Sequence, residues 1–167
     1  VVGAVVISVY SQLAKQYDLA RLGEMPERTM VLDFKGQLIG RMHGENRIVV
    51  PLDQVAPHFI KALLAREDAR FYKHGGIDFS GVVRAMMRNL RDGRIVQGAS
   101  TITMQLARNS YPDLNDRTFH RKLLEMMLAR RIEKYCTKDQ ILDHYVNRIF
   151  FGNGLYGIQR ASQVYFG

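Results

Sequence analysis

A chain of 167 residues, 47% of them hydrophobic and with no shift of composition along its length, can close one compact core and gives no sign of two. Its 24 Lys and Arg against 16 Asp and Glu leave a net charge of +8, which favours an anionic partner: nucleic acid, an acidic membrane surface or a phosphorylated substrate. The single cysteine, Cys136, excludes an internal disulfide and is expected half-buried on a helix, and the sequence holds no Cys/His cluster with metal-ligand spacing.

The chain opens on VVGAVVISV, nine residues without a charge. A helix needs about 20 apolar residues to cross a bilayer. The stretch is therefore either a core segment or the end of a membrane anchor, and its opening at full hydrophobicity without Met favours the anchor. YSQLAKQYDLARLGEMPER follows as a polar helical stalk entering a Pro-marked linker, so residues 1–28 form a first unit. TMVLDF and QLIGRM then flank Lys35-Gly36, the pattern of two short strands around a glycine turn, and this β-hairpin with its linker occupies 29–56.

From 57 to 167 the pattern is helical. HFIKALLAREDARFY is expected to run as one helix to Gly75-Gly76, and GVVRAMMRNLRDG as a second behind Ser80 as N-cap. A third starts at Ser100 in STITMQLARN, a fourth is RTFHRKLLEMMLARRIEKY, and a fifth, KDQILDHYVNRIFFG, has Thr137 and Gln140 spaced as a capping box. A last helix begins near YGIQRASQVYFG, and there are no internal repeats.

Two acids interrupt the apolar stripes. Glu67 stands four residues after Leu63 and four before Phe71, so on a continuous helix its side chain points where the leucines point. It is either paired with Arg66, Arg70 or Lys73 or kept as a reactive carboxylate. Glu125 lies between Leu124 and Met126, with Arg121 and Lys122 one turn earlier, and the same alternatives hold. Ser100, Thr101 and Thr103 open a helix although they are mediocre helix formers, which suits either a ligand at the helix N-terminus or plain hydroxyl capping. Two carboxylates on separate helices are usual equipment for glycosyl chemistry.

EDARFYKHGG, GASTITMQLARN, RKLLE, KDQILDHYVN and YGIQRASQVYFG, in this order, resemble the five motifs of the peptidoglycan glycosyltransferases, family 51 of the glycosyltransferases. The resemblance covers about residues 57–167, and the hairpin before it is similar to the segment preceding this domain in bifunctional class A penicillin-binding proteins. Met104 departs from the usual second Gln and Asp143 from the usual Glu, and the chain stops before the helices with which the family's domain closes, so the domain is expected to be incomplete at its C-terminal end.

The resemblance implies a mainly α, lysozyme-like fold and an enzyme that polymerises lipid II into β-1,4-linked glycan. It implies Glu67 as the general base acting on the acceptor's 4-hydroxyl, with inversion at C1 of the donor and undecaprenyl pyrophosphate as the leaving group. Glu125 matches the second essential glutamate, which either holds cations in place or helps to bind a divalent metal, Mg or Mn, near the pyrophosphate. Arg84, Arg108, Arg117, Arg121 and Lys122 match the family's basic positions, and Ser100, Thr101, Thr103, Gln105 and Asn109 its polar contacts. Asp68, Phe71 and His74 complete the substrate-binding set, with Asp68 and His74 expected to support the fold around Glu67 rather than to react. No nucleotide or organic cofactor is implied. The expected partners are lipid II, the growing glycan, a fused transpeptidase domain and other cell-wall synthesis proteins. The expected location is the outer face of the bacterial cytoplasmic membrane, held by a single N-terminal anchor.

Two rivals have discriminators. A basic helical nucleic-acid module would carry a polar recognition helix with few acids, whereas here both acid-bearing helices set Glu among apolar residues. A lysozyme-like glycan hydrolase would need a protonated acid opposite a water and no cationic cluster, because a sugar hydroxyl leaves instead of a pyrophosphate.

Overall fold

The computed structural model describes residues 2–25, 30–41, 47–94, 98–114, 116 and 118–167. It is mainly α. Helix α1 (Val2–Lys15) and a 3-10 turn at Leu19–Leu22 precede strands β1 (Met30–Leu32) and β2 (Leu38–Arg41). Then come α2 (Pro57–Glu67), α3 (Phe79–Arg91), α4 (Ile102–Ser110), α5 (Phe119–Tyr135), α6 (Lys138–Val146) and α7 (Ile158–Phe166).

The hairpin pairs antiparallel, Met30 with Arg41 and Leu32 with Leu38. Its turn is built by Asp33, whose Oδ1 accepts from the amides of Lys35 (2.9 Å) and Gln37 (2.7 Å), while Gly36 takes φ +77°.

Helix α4 is the centre of the fold and packs on both α5 and α6. Ile102, Leu106, Leu128, Ile132, Ile141 and Leu142 are fully buried in one cluster that also takes Ala14, Leu19, Leu22 and Phe71. Each such aliphatic side chain contributes about 1.5–3 kcal/mol of burial, which offsets the poor helix propensity of the α4 start. Thr118 caps α5 through the amide of Arg121, and Thr137 and Gln140 form the expected capping box at α6.

Two expectations are corrected, and the seat of the stalk is added. The first core helix ends at Glu67 rather than at Gly75-Gly76, because Asp68 leaves helical geometry (φ −159°, ψ 74°) and a 3-10 turn follows at Phe71–Lys73. Asp78, not Ser80, occupies the α3 N-cap position, and the Ser80 hydroxyl donates to Asp78 Oδ1 at 2.8 Å. The stalk is packed on the domain. Arg131 donates to the carbonyls of Ala14 and Tyr17, and Arg148 to those of Leu22 (2.9 Å), Arg21 (3.1 Å) and Glu24 (2.5 Å), so two guanidinium groups satisfy carbonyls that end the N-terminal helical turns.

One glycine places the loop beside the site. Gly76 has φ +93°, and a Cβ there would lie 2.8 Å from the backbone carbon and oxygen of Ala129 in α5. The loop therefore lies against α5 with no room for a side chain.

Candidate active site

Glu67 is the last residue of α2 and is exposed, not buried on an apolar stripe as the uninterrupted helix would have it. It lines a cleft of about 170 Å³ with Arg66, Arg70, Arg84, Ser100 and Thr101. Its carboxylate Oε2 accepts from Gln105 Nε2 at 3.0 Å, and among the described residues it forms no ion pair. The alternative of a Glu67 paired with Arg66, Arg70 or Lys73 is therefore not what the fold adopts.

Asp68 explains why the helix stops there. Its side chain turns inward, accepts from the amide of Ile102 (3.1 Å) at the start of α4, and receives His74 Nε2 at 3.0 Å from both carboxylate oxygens. A carboxylate only accepts, so Nε2 carries the proton of that bond. The negative charge at the N-terminus of α4 meets the positive end of its dipole. Asp68 and His74 thus join the end of α2 to the start of α4 and belong to the framework.

The hydroxyls of α4 divide into two groups. Thr101 is buried, donates to Gly76 O (2.7 Å) and accepts from the amide of Met104 (3.2 Å); Thr103 is 0% exposed and donates to Glu133 Oε1 at 2.6 Å. Phe71 is 1% exposed in the core, with the Lys138 ammonium 4.3 Å from its ring centre. The expectation that Thr101, Thr103 and Phe71 touch substrate is corrected: burial and internal partners commit all three to the fold. Ser100 stays at the cleft, where its Oγ accepts from Lys122 Nζ at 2.7 Å.

That ammonium leads to the second carboxylate. Lys122 Nζ lies 3.1 Å from Glu125 Oε2, and Arg121 Nε 3.2 Å from Oε1. Glu125 is 1% exposed. A buried anion held between two cations one turn earlier on the same helix is an electrostatic anchor, and removal of either partner leaves an uncompensated buried charge. A contact chain of Ser100, Lys122 and Glu125 therefore runs from the wall of Glu67's cleft into α5.

Comparison with known proteins places the chain in a family. The transglycosylase family matches residues 35–167. Penicillin-binding protein 1A of Escherichia coli is 49% identical over 132 residues, covering 79% of this chain and 15% of that protein. Penicillin-binding protein 1A of Aquifex aeolicus is 45% identical over 142 residues (85% and 19%), and penicillin-binding protein 4 of Bacillus subtilis 41% over 156 (92% and 25%). The chain belongs to the transglycosylase family. The chain carries a transglycosylase domain similar to part of these penicillin-binding proteins, and it spans a quarter or less of the length of the three relatives.

The remaining positions of this transglycosylase fall in two places. Arg84 is exposed on α3 and lines Glu67's cleft. Arg108 and Asn109, one turn beyond Gln105 on α4, line a separate cavity of about 860 Å³ with Arg21, Arg148 and Tyr156. Arg117 lies outside the described residues. Met104 is buried at 2% and is a core side chain, so a polar residue at this position would have no solvent or cleft to reach. Asp143 accepts from the amide of Leu52 at 2.8 Å, and Asn147 beside it holds Val50 by both its amide and its carbonyl, so this motif fastens the linker to α6.

Of the two roles expected of Glu125, contact with cations of its own helix is the one the geometry displays: Lys122 donates to Oε2 and Arg121 Nε stands 3.2 Å from Oε1, which has no hydrogen-bond partner among the described residues. Nor does any group of three or more His, Cys, Asp or Glu come together among them. Among the described residues no helix is long and apolar enough to cross a membrane. The sequence reading missed Tyr145, whose hydroxyl donates to Gln105 Oε1 at 3.1 Å. Burial pushes its phenol well above the usual range, and the neighbouring Glu67 carboxylate adds to that, so it stays a donor. Nothing in the local pattern ILDHYVN distinguishes it from a core aromatic.

Proposed function

We propose that this domain polymerises lipid II, with Glu67 as the base and the half-buried Arg121 and Lys122, anchored by the buried Glu125, as support for the leaving pyrophosphate. The observation that carries this reading is the contrast between the two glutamates. Glu67 is open to a cleft and held by one amide donor, whereas Glu125 is enclosed, with Oε2 bonded by Lys122 and Oε1 facing Arg121 Nε at 3.2 Å. A base has to be accessible to the proton it takes, and of the two glutamates Glu67 is the one open to the cleft.

The proton leaves the 4-hydroxyl of the acceptor's N-acetylglucosamine for the Glu67 carboxylate as that oxygen forms its bond to C1 of the donor's N-acetylmuramic acid. The C1–O bond to phosphate breaks from the opposite face, its electron pair passes to the pyrophosphate, and the α-linked donor becomes a β-1,4 bond. Negative charge grows on the leaving group. Lys122, held by Ser100 and Glu125 at the cleft, and Arg84 on its other wall supply fixed positive charge there. Arg108 extends the basic surface one turn further along α4.

The substrate also places the enzyme. Phe79, Val83, Met86, Met87 and Leu90 leave an apolar face of α3 exposed, beside the arginines 84, 88 and 91 of the same helix. Val5, Ile7 and Val9 do the same on α1. An apolar face flanked by arginines suits the interface of an anionic bilayer, which here is the outer face of the cytoplasmic membrane where a polyprenyl-linked donor resides. A transpeptidase domain in the same protein is proposed from the names and greater length of the relatives. The test of the reaction is Glu67→Gln in the full-length protein, assayed with labelled lipid II: polymerisation is lost while lipid II binding is kept, and near-normal turnover overturns the assignment.

A further inference from the structure

We propose that Tyr145 is a positioning residue for the reaction: its hydroxyl fixes the orientation of the Gln105 amide, and the amide in turn fixes the Glu67 carboxylate. The inference rests on the reading of Glu67 as the base. Two hydrogen bonds in series carry it, Tyr145 Oη to Gln105 Oε1 at 3.1 Å and Gln105 Nε2 to Glu67 Oε2 at 3.0 Å.

The direction of the series follows from what each group can do. An ionised carboxylate only accepts, so the Gln105 nitrogen has to face Glu67 and the Gln105 oxygen has to face away. An amide on a half-exposed side chain can turn over at little cost, and the turned amide would set oxygen against carboxylate oxygen. A hydroxyl that donates to Oε1 disfavours that flip. Tyr145 is 2% exposed on α6, so its ring is fixed by packing and its hydroxyl has a defined reach. The buried tyrosine thus transmits the rigidity of the α4–α6 contact to a carboxylate at the exposed end of α2.

The consequence for chemistry is specific. A donor held in one place keeps the Glu67 carboxylate turned to the cleft, where a base has to meet the hydroxyl it deprotonates. The charged groups that line the cleft with Glu67 are Arg66, Arg70 and Arg84 and the carboxylates Asp68 and Asp78. None of them is altered by a change at Tyr145 that keeps the ring.

The experiment compares Tyr145→Phe, Gln105→Met and the double variant with the parent, in the full-length protein, by kcat and KM for lipid II polymerisation. Tyr145→Phe is expected to lower kcat about tenfold with KM little changed. Gln105→Met should lower kcat at least as far, and Tyr145→Phe should cost nothing further in the Gln105→Met background. An unchanged kcat in either single variant overturns the inference, as does a further tenfold loss on adding Tyr145→Phe to Gln105→Met. Phenylalanine fills the same volume, so a Tyr145→Phe protein that fails to fold would show the hydroxyl to serve the core and would equally overturn it. Glu67→Gln is measured beside them: retained turnover there brings down the base assignment itself, whereas an inactive Glu67→Gln with an unchanged kcat in Tyr145→Phe brings down only the role of Tyr145.

Discussion

Replacing Gly76 by alanine tests how the loop after Glu67 is held against α5. The new Cβ would stand 2.8 Å from both the carbonyl carbon and oxygen of Ala129 and 3.0 Å from the amide nitrogen of Arg130, all backbone atoms that no rotamer change can move. The position also has φ +93°, which costs an L-residue about 1–2 kcal/mol. Backbone displacement to relieve the contacts adds about 1–3 kcal/mol and stretches the bond from Thr101 Oγ1 to Gly76 O, now 2.7 Å. The sum is about 2–5 kcal/mol, or a fall in Tm of about 4–20 °C for a chain of this size. Gly75→Ala is the internal control. It meets nothing within 4 Å and has no left-handed φ, so it should stay within about 0.5 kcal/mol of the parent. Thermal and urea unfolding of both variants gives the comparison, and turnover should follow stability because the Gly76 carbonyl anchors the Thr101 cap of the helix that carries Gln105. A Gly76→Ala protein within 1 kcal/mol of the parent, or a Gly75→Ala protein equally impaired, would refute the argument from close approach.

Lys122→Ala and Glu125→Gln should each lower lipid II turnover by about a hundredfold or more, the usual loss for one preorganised charge-stabilising group, while cleavage of preformed glycan stays absent; glycan cleavage by the parent without polymerisation would favour a hydrolase instead. His144 is shifted down by burial and then by Arg148, with Asp143 opposing, so its folded pKa lies below the ordinary 6.5. A group lowered in this way binds more protons unfolded than folded, so its contribution is present above pH 6.5 and is lost as pH falls through the folded pKa. Melting curves at pH 7.5 and 5.5 should therefore show a smaller acid loss in His144→Gln than in the parent, and an identical loss would refute the burial argument. Met87→Asp with Leu90→Asp, at side chains 69% and 71% exposed, should weaken binding to anionic vesicles without changing Tm, and unchanged vesicle binding would remove α3 from the membrane contact.

What the sequence by itself determined lies in short-range patterns. The 3.6-residue stripes located the helices, Thr137 and Gln140 marked the start of α6, the Lys35-Gly36 turn marked the hairpin, and the order of five motifs pointed to the family that residues 35–167 then matched. These signals are legible because each depends on residues a few positions apart. The tertiary structure decided the state of the two glutamates. The stripe through Leu63, Glu67 and Phe71 made one long helix the natural reading, yet α2 stops at Glu67 because Asp68 finds the α4 amide of Ile102, 34 positions away, and His74. That partner turns Glu67 outward and Phe71 into the core. Thr101 and Thr103 look like ligand contacts until Gly76 and Glu133 claim their hydroxyls. Where the polar stalk sits was not legible until Arg131 and Arg148 reached its carbonyls. Tyr145 was a core aromatic in the sequence and a donor to Gln105 in the fold. A polar side chain's role is set by which partner reaches it, and when those partners lie tens of residues away only packing brings them within hydrogen-bond distance.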